Sequence, residues 1–154
     1  CSELSGQLLT ALETTGVTIH SGGSLVTIEG PRFSTRAESQ VFRSWGASLI
    51  GMTACPEAFL AREAELCFAV MAHVTDYDVW HVSEEPVTVE MVLSILESNT
   101  RSAQEALHAL LRKLPEGRSC DCSAALQNAI ISQAERIPPA TRKKLALLVD
   151  KYLK

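Results

Sequence analysis

Leu25-Val-Thr-Ile-Glu-Gly-Pro-Arg-Phe-Ser-Thr-Arg-Ala-Glu38 is the stretch that decides how this chain reads. Leu25 to Ile28 alternates like a strand, and Gly30-Pro31 punctuates it. A helix then opens at Ser34 or Thr35, with Glu38 three residues after Thr35, the spacing of a capping box. Arg32, Phe33 and Ser34 therefore lie on a strand-to-helix turn. An α/β protein places ligands on such turns, beside the free N–H groups of a helix N-terminus.

Working outward, residues 2–15 carry an apolar stripe of Leu4, Leu8, Leu9, Ala11 and Leu12 and read as a helix ended by Gly16. Val17 to His20 alternates like a strand, and Gly22-Gly23 turns it into Leu25–Ile28. On the other side, the helix from Thr35 to about Trp45 ends at Gly46, and Ala47 to Met52 is a short buried-strand pattern. Pro56 opens a helix at its first position, running to about Leu66. Cys67 to Val74 is continuously apolar, the pattern of a strand covered on both faces. Strand and helix alternate, so the fold class is α/β, with parallel pairing expected.

After Glu84-Glu85-Pro86, Thr88 caps a long helix. Its apolar side carries Val89, Val92, Leu93, Leu96, Leu107, Leu110 and Leu111, by default a core stripe. Pro115-Glu-Gly117 breaks the chain. Ser123 is placed to cap a helix through about Arg136, and Thr141 to Lys154 reads as a last helix with Leu145, Leu147, Leu148 and Tyr152 on its apolar face. Arg142, Lys143 and Lys144 stand at the unfavourable end of that helix's dipole and read as a solvated face. The whole of 1–154 is one domain, with a helical tail over 116–154.

The 154 residues are 46% hydrophobic and 21% charged, which suits a globular chain with a core. Net charge is −4, from 14 basic and 18 acidic residues, so neither nucleic acid nor an anionic membrane is an expected partner. The apolar runs are too short to span a bilayer. The chain opens Cys1-Ser-Glu3, without Met or the basic and apolar runs of a signal peptide, and reads as a fragment, a processed chain or a sequence that starts mid-domain. Five cysteines, sparse and odd in number, fit a cytosolic protein with mostly free thiols. Cys120-Asp-Cys122 is too close to be half of an ordinary zinc finger, and no second pair with a Cys or His partner follows it, so no metal is expected. The pair is either two ordinary loop cysteines or a redox-active or structural disulfide.

Thr75-Asp-Tyr-Asp78 ends the buried strand pattern. Two carboxylates at the carboxyl end of a core strand stand where open α/β sheets bind ligands. On spacing alone, an Asx-type turn in which Asp76 or Asp78 caps a backbone N–H is the stronger reading.

The pattern TIEGPRFSTRAES, then GMTACPE, then TDYDVW resembles the methylthioadenosine phosphorylases of the purine nucleoside phosphorylase superfamily over about residues 15–95. Three motifs in order and at the right separation carry that resemblance. It implies part of a nucleoside phosphorylase-type central mixed sheet flanked by helices. The implied activity is cleavage of 5′-methylthioadenosine by inorganic phosphate, a co-substrate, to adenine and 5-methylthioribose 1-phosphate, with no cofactor. Such a reaction needs a proton or donor at the leaving base, a flat wall beside it and a held nucleophile. By resemblance, Phe33 and Ser34 flank the base and Met52 contacts the ribose. Thr53 and Thr75 are the hydroxyls near phosphate and base. Asp76 is the catalytic carboxylate facing purine N7 and the 6-amino group, with Asp78 its neighbour, and Val89, Val92 and Leu93 receive the 5′-methylthio group. Arg32, Glu38, His20 and His73 stay open between orienting the loop and satisfying buried polar groups.

The family's subunits are longer on the N-terminal side, where a Gly-rich turn and an Arg-His pair grip phosphate. Neither precedes residue 20 here. The resemblance therefore implies the C-terminal part of such an enzyme, with the N-terminal half as partner, in a cytoplasmic trimer or hexamer. The Cys120/Cys122 pair resembles the paired cysteines of thermophilic archaeal members, and Cys1/Cys67 another such pair, so both imply disulfides. The alternatives are a phosphorylase of 6-oxopurine nucleosides or methylthioinosine, disfavoured by Asp76, and a non-catalytic truncated assembly chain.

Overall fold

A computed structural model of the chain describes residues 1–81 and 88–153, so Glu84, Glu85, Pro86 and Lys154 lie outside the described residues. The elements are α1 (Ser2–Glu13), β1 (Leu25–Thr27), α2 (Arg36–Ser44), β2 (Leu49–Gly51), α3 (Ala54–Glu63), α4 (Val89–Lys113) and α5 (Pro139–Val149), with short 3-10 turns at Asp121–Ala124 and Ala134–Arg136. β1 and β2 pair in parallel, with Leu25 opposite Leu49, Val26 opposite Ile50 and Thr27 opposite Gly51. Parallel strands in level register send their following turns out at the same edge. That edge is where Arg32–Ser34 and Met52–Thr53 emerge. α2 ends at Ser44 with Trp45 as its C-cap, and Gly46 follows at φ +79°, a left-handed position that terminates a helix at little steric cost only for glycine.

The core sits between α1 and α4. Leu8, Ala11 and Leu110 are buried together, with Leu4, Leu12, Ala69, Met71 and Ala109 packed against them. The small side chains Ala103 and Ala106 are buried on the same long helix. This rotates the expected stripe, because α4 buries the face carrying its alanines. Leu107 and Leu111, expected in the core, are exposed.

Two expected strands are not formed. Val17–His20 and Cys67–Val74 form no regular element and have no ladder partners among the described residues. A strand exists by its backbone pairing, and apolar sequence alone does not supply a neighbour. Val70 and Val74 are accordingly exposed, although their sequence pattern is that of a doubly covered strand. α3 is bounded from Ala54, but Cys55 inside it is extended (φ −112°, ψ 138°) because the residue before a proline is driven out of the helical region, so its regular helical turns open at Pro56 as expected.

The tail also departs from expectation. No helix spans Ser123–Arg136. The Ser123 carbonyl, which would accept the first bond of that helix, accepts instead from Lys151 Nζ at 2.9 Å, and the Leu126 N–H donates to the Glu65 carboxylate at 3.1 Å. α5 starts at Pro139 and ends at Val149, leaving Tyr152 and the buried Leu153 beyond it. Arg142 is not merely solvated. It donates to Asp150 Oδ1 at 3.2 Å and to the Leu153 carbonyl at 2.7 Å, clamping the end of the chain, while Lys143 and Lys144 are exposed.

The structure forms neither expected disulfide. All five cysteines are free thiols, and Cys1, Cys67, Cys120 and Cys122 meet in a single cluster instead of two separate pairs.

Candidate active site

Three turns assemble the site. The first follows β1. The two terminal nitrogens of Arg32 donate to the Glu38 carboxylate at 2.8 and 2.6 Å, and Arg32 also donates to the Phe33 carbonyl at 3.1 Å. Glu38 accepts from the Thr35 N–H at 2.7 Å, while the Glu38 N–H donates to Thr35 Oγ1 at 3.3 Å, so the capping box read from the sequence is present. Hydrogen bonding from Arg32, then from Thr35, holds the Glu38 carboxyl down at about 2. Arg32 and Glu38 thus shape the turn. Phe33, 83% exposed, holds its ring out beside it, and Ser34 is half-buried.

The second turn follows β2. A Cβ placed on Gly30 would stand 2.8 Å from Met52 Sδ, so the first two turns touch at a position open to glycine. Thr53 occupies the N-cap position of α3, yet its hydroxyl makes no capping bond and the residue is exposed. That leaves an exposed hydroxyl on the turn that leads into α3.

The third turn ends the segment from Cys67. Asn99 Nδ2 on α4 donates to the Val74 carbonyl at 2.9 Å and fixes the segment's end. Thr75 Oγ1 donates to Asp76 Oδ1 at 2.6 Å. Asp78 Oδ1 accepts from the Val79 N–H at 2.8 Å, a local turn bond, and from Ser34 Oγ at 3.2 Å. Asp78 is therefore a turn residue that also ties the third turn to the first. Asp76 is exposed.

Val89, Val92 and Leu93 lie on the first turns of α4, whose N-cap Thr88 accepts from the Met91 N–H at 3.2 Å. Val89 and Leu93 are exposed, and Val92 is half-buried. Leu93 and Leu96 line a shallow depression of about 440 Å³ with Thr100 and Arg101. His20 and His73 are both exposed.

Sequence reasoning missed two positioning contacts. The Arg43 guanidinium of α2 lies 3.6 Å from the centre of the Trp80 ring, which also packs against Tyr77 and His81, and so holds the third turn against α2. Asn99 was legible, because it is a polar residue on the stripe Val92, Leu96, Asn99, Ala103, Ala106, Leu110. Arg43 carried no such mark, since nothing in a sequence pairs it with an aromatic ring 37 positions away.

Residues 1–114 match the phosphorylase superfamily. The S-methyl-5'-thioadenosine phosphorylase of Geobacter sulfurreducens is 44% identical over 153 residues, covering 99% of this chain and 54% of that protein. A methylthioadenosine phosphorylase from an antarctic soil metagenomic library superposes with a TM-score of 0.87 at 35% identity, over 97% of this chain and 53% of that one. The Schistosoma mansoni methylthioadenosine phosphorylase, solved in complex with adenine, has a TM-score of 0.69 at 34% identity, over 81% and 50% of the two chains. The chain thus spans about half the length of the curated relatives it matches. Its fold is that of the nucleoside phosphorylases, and the chain belongs to the phosphorylase superfamily.

Proposed function

We propose that this chain is the C-terminal part of an enzyme that cleaves 5′-methylthioadenosine with inorganic phosphate, releasing adenine and 5-methylthioribose 1-phosphate. The observation that carries this reading is the joining of all three motif turns, Met52 against Gly30 and Ser34 bonded to Asp78, with Asp76 two residues before Asp78 on the third turn. The names of the relatives and the adenine in the Schistosoma complex agree with it.

In this reading Phe33 lies along the base, Ser34 and Thr75 set its edge, and Met52 lies under the ribose. Asp76 hands or shares a proton with N7 as the glycosidic bond breaks, and accepts from the 6-amino group. Thr53, at the N-terminus of α3, contributes to holding phosphate. The remaining phosphate contacts come from the N-terminal half. That half, or a neighbouring subunit of a trimer or hexamer, covers the apolar segment 67–74. Val89, Val92 and Leu93 favour a methylthio group over a hydroxyl, because a hydroxyl buried there would lack a partner. The reaction needs no cofactor and takes place in the cytoplasm. No helix among the described residues is long and apolar enough to cross a membrane.

The test is the whole protein with Asp76→Asn, assayed on 5′-methylthioadenosine and 5′-methylthioinosine. An amide can turn its N–H toward a 6-oxo group but offers the 6-amino group a poorer acceptor. Turnover should fall on the amino substrate and shift relatively toward the oxo substrate. An unchanged ratio would reduce Asp76 to a turn residue.

A further inference from the structure

The four half-buried thiols of Cys1, Cys67, Cys120 and Cys122 come from three distant parts of the chain. Cys1 is the N-cap of α1, Cys67 opens the segment after α3, and Cys120 and Cys122 bracket the start of the Asp121–Ala124 turn. Their four sulfurs all lie within 4.8 Å of one another, with Cys67 and Cys120 at 3.4 Å. Four thiolates at about 2.3 Å around one zinc ion stand about 3.8 Å apart, inside the spread observed here. An iron–sulfide cluster, having several metal atoms at its centre, would hold its four thiolates farther apart than one ion does.

We propose that Cys1, Cys67, Cys120 and Cys122 form a structural, tetrahedral zinc site that fastens α1, the segment from Cys67 and the tail to one another. Four soft sulfur ligands at these spacings select zinc among the common divalent ions. A closed four-thiolate set leaves no open position for substrate, so the site serves structure and not catalysis. Filling it displaces up to four thiol protons and leaves a net charge of −2 on the complex. The surroundings are built for that charge. Arg118 Nη1 is 3.8 Å from Cys67 Sγ, and the Leu4 N–H at the positive end of α1 points at Cys1 Sγ from 3.5 Å. The sequence hid the site because the partners of Cys120-Asp-Cys122 precede it by 53 and 119 positions, where a zinc-finger search looks a few residues ahead. The proposal is independent of the phosphorylase reading.

The intact protein, purified under reducing conditions without chelator, should carry about one zinc per chain by elemental analysis. Mercurial titration of the thiols should release that zinc. Cobalt(II) exchanged into the site should give thiolate-to-cobalt charge transfer and the strong visible bands of a tetrahedral ion. Chelator should lower the wild-type Tm. Cys55→Ser, outside the cluster, should keep its zinc, and Cys120→Ser/Cys122→Ser should lose it. Should that double variant not fold, Cys1→Ser offers a milder change, and its cobalt spectrum should move from four sulfurs to three. Five reactive thiols in metal-saturated protein would overturn the proposal. So would an intact mass lighter by the hydrogens of one or two disulfides, iron in place of zinc, or full zinc in the double variant.

Discussion

On the third turn the Asp76 carboxylate meets one hydroxyl among the described residues, that of Thr75, and on the first turn the Phe33 ring stands in solvent. At the root of the tail the Glu65 carboxylate is almost enclosed, and Tyr152, Lys151 and the Leu126 N–H all donate to it. Both are carboxylates on loops that follow an element of the α/β unit. One has spare acceptor capacity and room beside it, while the other has none. Folding has completed the tail from within this chain. It has left the turn cluster shaped but unsaturated, the condition of a site whose last contacts are made by a ligand.

The sharpest way to break that contrast is Asp76→Ala in the whole protein. Loss of a positioned proton donor should cut turnover of 5′-methylthioadenosine by more than about a hundredfold. The Tm should scarcely move, because the side chain is exposed. Near wild-type turnover would sink the catalytic assignment, and a large fall in Tm would show that Asp76 resembles Glu65 after all.

Glu65 should behave the other way. Burial alone would raise its carboxyl, but hydrogen bonds from Lys151, Tyr152 and the Leu126 N–H outweigh that and bring it from 4.5 down to about 2. A carboxyl lowered in the folded state contributes stability that is complete above its unfolded value and disappears as the pH falls to the folded value. Wild type should therefore lose Tm between about 4.5 and about 2, as Glu65 takes up its proton. Glu65→Gln should start several degrees lower at neutral pH, show a shallower fall in that window, and leave KM for substrate unchanged. Parallel curves for the two proteins would remove Glu65 as the tail's anchor.

The smallest effect belongs to Thr35→Ala, which touches both properties. Loss of the N-cap hydroxyl should cost about 1 kcal/mol, read from denaturant unfolding. It should also loosen Glu38 and, through it, Arg32, so KM should rise by a few fold with kcat little changed. A stability loss with KM untouched would mean that the Arg32–Glu38 pair holds the turn without the cap.

Much of the turn cluster was legible because its signals are local. The strand-to-helix punctuation at Gly30-Pro31 and the Thr35/Glu38 box are fixed by neighbours a few residues apart, and both appear in the structure. The parallel pairing of the strands at Leu25 and Leu49 followed from alternation of elements. What failed depended on distant partners. Cys67–Val74 has the composition of a central strand, yet composition cannot supply the neighbour that would pair with it. The helix expected from Ser123 lost its first carbonyl to Lys151, which no window of local propensity contains. The four cysteines were read two by two because sequence order presents them that way, and space does not.

The contact of Gly30 with Met52 also bears on how this site can diversify. A single methyl at position 30 would meet the sulfur of Met52 at 2.8 Å, and that sulfur lies near the end of a flexible side chain. The chain could absorb the change by moving Met52 and leave β1 and β2 in place. Position 30 is thus a one-step dial on the width of the slot between the first two turns. Lineages could turn it to change what that slot admits while the scaffold stays the same.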